Sequence, residues 1–69
     1  MTEDELRKNL RYLTDKYVVD KNKKDEMYNY IDRDDVPVKG VLADLNAFGL
    51  KIISQDDGDL ISAIYFYYC

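Results

Sequence analysis

Leu50-Lys51-Ile52-Ile53-Ser54-Gln55-Asp56-Asp57-Gly58-Asp59-Leu60-Ile61-Ser62-Ala63-Ile64-Tyr65-Phe66-Tyr67-Tyr68 is the stretch on which the fold turns. Two β-favouring runs, 50–55 and 60–68, flank Asp57-Gly58, a pair that tolerates positive φ at both positions. That arrangement predicts a β-hairpin closed by a two-residue turn. In this register Gln55 opposes Leu60, Ile53 opposes Ser62 and Lys51 opposes Ile64. The face carrying Leu50, Ile52, Ile61, Ala63, Tyr65 and Tyr67 then packs inward. Because strand side chains alternate, Phe66 and Tyr68 fall on the opposite face, and one helical layer cannot cover both.

Upstream, the pattern is helical. Thr2 followed by Glu5 is a capping box, and Leu6, Leu10, Leu13 and Tyr17 recur at spacings of four, three and four, which predicts a helix over 3–17. Tyr12 falls beside that stripe. Tyr17-Val18-Val19 ends the periodic segment as a turn or very short strand, and a second helix is expected over 23–32, capped by Asn22, with Met27, Tyr30 and Ile31 inward. Pro37 suits the opening of a third helix over 38–48, with Val38, Val41, Leu42, Leu45 and Phe48 on one face. Gly49-Leu50 reads as a Schellman stop with glycine in the left-handed conformation. Gly40 is unfavourable inside this helix, so either the second and third helices meet closely there or the third begins a turn later.

Three helices followed by a hairpin give an α+β class. In element order the chain resembles a minimal winged-helix-like three-helix domain with a C-terminal β-hairpin, the 56–59 loop forming the wing tip and the third helix in the recognition position. The resemblance rests on order alone and implies DNA binding. Under that reading Lys21, Lys23, Lys24, Lys39 and Asn46 would meet nucleic acid.

Charge argues against it. The chain has 69 residues, 10 basic and 14 acidic, for a formal net charge of −4. Residues 1–31 carry seven acids and seven bases, whereas residues 32–69 carry seven Asp against Arg33, Lys39 and Lys51, so the whole imbalance lies in the second half. The wing tip would bring Asp56, Asp57 and Asp59 to phosphate oxygens, where repulsion weakens binding.

With no His and a single Cys, Cys69, the residue supply excludes an internal disulfide and the usual zinc sites. Without His the ordinary neutral-pH proton shuttle is missing, and the three glycines, 40, 49 and 58, fit no nucleotide cradle. Asp56-Asp57-Gly58-Asp59 lacks the spacing and terminal Glu of a calcium loop. No enzymatic activity, cofactor or metal is expected. The charged amino-terminal segment does not read as a signal peptide, and the longest apolar run, 63–69, is too short to span a membrane, so a cytoplasmic protein without membrane association is expected.

The functional expectation is a small acidic protein-interaction or regulatory protein, with a winged-helix-type transcription regulator as the alternative. Asp44, Asp56, Asp57 and Asp59 would steer a protein partner with a basic surface, and Tyr65, Phe66, Tyr67 and Tyr68 would anchor it or form a homodimer contact.

Overall fold

A computed structural model describes residues 1–51 and 53–69. The described residues form four helices: α1 Glu3–Tyr17, α2 Lys21–Ile31, α3 Val38–Phe48 and α4 Gln55–Tyr68. There is no β-strand among the described residues, so the expected hairpin, its wing and the winged-helix-like α+β assignment are all overturned. Among the described residues the β pairing is a single antiparallel bridge, Val18 to Gly49.

The first three helices form for the reasons their patterns give. Thr2 caps α1, its side chain accepting from the Glu5 amide at 3.2 Å, and Glu3, Asp4 and Glu5 lie at the positive end of the helix dipole. Leu6, Leu10, Leu13 and Tyr17 are all buried. Helix α2 starts two residues earlier than expected. Asp20, not Asn22, is its cap: the Asp20 residue is extended and its carboxylate accepts from the Lys23 amide at 3.0 Å. Met27 and Ile31 are buried, while Tyr30 is half-buried.

The α2–α3 turn is held from α1. Arg7 donates to the carbonyl oxygens of Ile31 at 3.2 Å, Arg33 at 2.9 Å and Asp34 at 3.3 Å, so one guanidinium takes up backbone acceptors left over at the end of α2. Arg11 pairs with Asp32 beside it. In α3, Val38, Val41, Leu42 and Leu45 point inward, but Phe48 lies exposed with the Lys23 ammonium 4.5 Å from its ring centroid.

Gly49 does not adopt the left-handed conformation of a Schellman stop; its φ is −78° and its ψ 162°. It is required by close approach instead, because a Cβ there would collide with the Leu45 carbonyl oxygen. Neither reading of Gly40 holds. Helix α3 begins at Val38, and a Cβ on Gly40 would meet nothing nearer than the Pro37 Cβ at 3.8 Å.

Ser54 begins α4. Its hydroxyl accepts from the Asp57 amide at 3.2 Å, and the Gly58 amide bonds the Ser54 carbonyl at 2.8 Å. The Asp57-Gly58 pair thus lies in the first helical turn, where no glycine has positive φ. From there Asp57, Leu60, Ile61, Ile64 and Tyr68 face the other helices at helical spacing. Helices α1 and α3 touch each other and both flanking helices, whereas α2 and α4 do not meet. The core between them comprises the inward residues already named together with Val18.

Candidate functional site

Two groupings of side chains stand out on α4: a polar cluster at its start and an aromatic surface at its end.

The first centres on Asp57, a carboxylate only 4% exposed. Helix α1 supplies three donors to it. Lys16 Nζ lies 2.8 Å from Oδ2, the Tyr12 hydroxyl donates to Oδ1 at 2.9 Å, and the buried Tyr17 hydroxyl donates to Oδ2. Tyr17 also accepts from the Ser54 amide at 3.3 Å, so its hydroxyl links the cap of α4 to the carboxylate one turn later. Hydrogen bonding to Lys16 first, then to Tyr17, holds Asp57 well below the usual carboxylate range; the Asp57 bond, reinforced by Tyr12, raises Lys16. Both groups are thereby fixed in their ordinary charged states. A general acid or base for neutral pH needs the opposite displacement, toward neutrality. The cluster is a clasp that fastens α4 to α1.

The second grouping is the solvent face of α4. Phe66 is 83% exposed, Tyr67 60% and Tyr65 46%, and the rings of Phe66 and Tyr67 meet edge to face with centroids 5.2 Å apart. Tyr65 also borders an apolar cleft of about 140 Å³ between α3 and α4, lined by Leu42, Leu45, Asn46, Ile53 and Ile61. The strand alternation expected for this segment is replaced by a helical division: Ile64 and Tyr68 turn inward, and the three rings between them turn outward. The Tyr68 hydroxyl donates to the Met1 carbonyl at 2.8 Å.

The acidic candidates separate. Asp57 is buried in the clasp, Asp56 and Asp59 are exposed near the start of α4, and Asp44 pairs with Lys23 at 3.2 Å. Of the basic candidates, Lys23 serves Asp44 and Glu26, and Lys24 reaches the Asp15 carbonyl at 3.3 Å. Lys21, Lys39 and Asn46 are exposed on α2 and α3, and the Asn46 carbonyl accepts from Lys51.

Sequence reasoning passed over Tyr12, Lys16, Tyr17 and Ser54 as partners of Asp57. The signal for the helix start was available in Ser54-x-x-Asp57, a capping pattern preceding an apolar run. The cleft residues Leu42, Leu45 and Ile61 are core-type residues with no local mark of a groove.

Among the described residues no group of three or more His, Cys, Asp or Glu side chains is placed to hold a metal ion, and no helix is long and apolar enough to cross a membrane. No family profile matches the chain, and no curated protein or solved structure matches it either.

Proposed function

We propose that this protein is a non-catalytic, cytoplasmic docking module that binds a protein partner through the exposed aromatic face of α4, with Phe66 as the anchor. The observation that carries the reading is the exposure of Phe66 at 83%, between two further exposed rings of which one, Tyr65, borders an apolar cleft. Isolated exposed apolar side chains are ordinary, but a contiguous patch of them on a small domain marks a surface that gains by being covered. Aromatic rings supply large contact area at modest ordering cost, which suits them to the centre of an interface.

The partner's chemistry follows from charge. Every charged residue after Lys51 is an aspartate, and with Asp57 neutralised by Lys16, Asp56 and Asp59 remain exposed near the start of α4. A partner segment with an apolar ridge bordered by Lys or Arg complements this face, the charges setting association rate and register more than affinity.

Capture from native lysate with the wild-type chain, Phe66→Glu and the double variant Asp56→Asn/Asp59→Asn tests this. One protein should be retained by the wild type, lost with Phe66→Glu and weakened by the double variant and by salt. Equal retention by the wild type and Phe66→Glu refutes the reading. A sedimentation mass of twice 8.1 kDa that reverts to 8.1 kDa in Phe66→Glu would make the occupant a second copy and remove the basic partner.

A further inference from the structure

Between the end of α2 and the first turns of α3 lies an open pocket of about 340 Å³, lined by Tyr30, Arg33, Pro37, Gly40, Ala43 and Asp44. It is separate from the α3–α4 cleft. Gly40, Ala43 and Asp44 project from the side of α3 opposite Leu42, Leu45 and Asn46, by the spacing of a helix. The volume falls within the range that accommodates a small molecule.

Three features of the pocket point to a ligand. Gly40 is the first. Glycine is among the least favourable residues in a helix, yet neither positive φ nor a close neighbour demands it here. What its missing side chain does is leave the pocket floor open, with backbone accessible to a flat group.

The second is Arg33. Of the three arginines, Arg7 is taken up by Glu3 and backbone carbonyls and Arg11 by Asp32, but the Arg33 guanidinium has no ion pair among the described residues. The third is the state of the pocket's other polar groups. Lys23 lies 3.2 Å from Asp44 and 3.5 Å from Glu26, and the Tyr30 hydroxyl donates to Glu26 at 2.8 Å. The acid is therefore neutralised from outside the pocket and the tyrosine ring is fixed, which leaves Arg33 as the lining group with an unused charge.

We propose that this pocket binds a small aromatic carboxylate, its ring lying over Gly40 between Tyr30 and Pro37 and its carboxylate on Arg33. A guanidinium matches a carboxylate with two parallel N–H donors, and aromatic faces pack favourably on a second ring. Asp44, already paired, disfavours neither the ring nor a carboxylate directed away from it.

Phenylacetate is the probe, and 2-phenylethylamine, with a similar ring and the opposite charge, is its control. Titration of the full chain followed by amide NMR should give saturable shifts at Arg33, Gly40 and Ala43, with a dissociation constant on the order of 1 mM for so small a ligand. The amine should bind at least about tenfold more weakly. Arg33→Gln should weaken phenylacetate about tenfold, and Gly40→Leu should abolish its binding. Gly40→Ala, which adds only a methyl group on an exposed helix, should weaken binding while keeping the fold. No saturable shift up to about 20 mM phenylacetate, equal or tighter binding of the amine, or undiminished binding in Arg33→Gln or Gly40→Ala would each overturn the assignment.

Discussion

The Tyr12 hydroxyl donates to Asp57 Oδ1 at 2.9 Å, joining side chains 45 positions apart. Long-range pairing of this kind decides where α4 lies, because α4 contributes few fully buried apolar side chains and would otherwise be free to slide along α1. Asp57 is also the residue that the hairpin reading placed in an exposed turn. Its three side-chain donors come from one helix, at positions 12, 16 and 17, a set that only an α-helical α1 can present together.

Acid should loosen the clasp. Asp57 has a depressed folded pKa, so its contribution to stability is fully present above the unfolded-chain value of about 3.9 and is lost as pH falls from there through its lower folded value. Stability measured by urea titration should therefore be insensitive to this group between neutrality and about pH 5, and should fall below about pH 4. Asp57→Asn should be less stable than wild type at pH 7 and should show a shallower acid decline. An identical acid decline in the variant would show that Asp57 is not the responsible group.

The glycines separate helix from hairpin. In the first turns of α4 a Cβ on Gly58 meets nothing within 4 Å, and its backbone is not in the left-handed region, so Gly58→Ala should stabilise the protein by about 0.5–1 kcal/mol. A type I′ turn at the same position would make that substitution strained and destabilising. Gly49→Ala should act in the opposite direction, costing about 1–3 kcal/mol, since the Leu45 carbonyl must move to admit the new carbon. Urea midpoints of the two variants test both signs.

The contrast shows where the sequence was readable. Helices α1, α2 and α3 each carry a capping or opening residue and an apolar stripe of helical period, and their ends lie within two residues of those the pattern predicts. In α4 the local signals conflict. Ile, Tyr and Phe favour strands, Asp-Gly favours a tight turn, and the competing Ser54-x-x-Asp57 start is equally short in range. What tips the balance is tertiary: Asp57 finds its donors on α1, and Ile64 its place in the core, only if the segment is helical. The exposed rings were visible in composition, but which of them point outward depends on the period. A strand would pair Phe66 with Tyr68, whereas the helix groups Tyr65, Phe66 and Tyr67.

Alkaline titration should report on Tyr28. Burial, followed by the hydrogen bond it donates to Asp15, pushes its hydroxyl up to about 12. A phenol whose folded pKa is raised contributes stability that is present below the unfolded value of about 10 and is lost as pH rises through the folded one. Ultraviolet absorbance of phenolate should show a late step near pH 12 that loses amplitude in Tyr28→Phe. An unchanged late step in the variant would show that Tyr28 does not contribute to it.

Ile64 and Phe66 lie two positions apart on α4 and should behave as opposites. Ile64 is fully buried and Phe66 83% exposed. Ile64→Ala removes packed carbon from the core and should cost about 2–5 kcal/mol, which is comparable with the whole stability, about 3–5 kcal/mol, of a domain this small. Its urea transition should be largely lost at room temperature. Phe66→Ala removes a ring that the monomer does not bury, so its midpoint should correspond to a change within about 0.5 kcal/mol. That second result matters for the docking reading: if Phe66→Ala destabilises the isolated chain as a core substitution does, the ring is already covered within the monomer and cannot serve as the anchor for a partner.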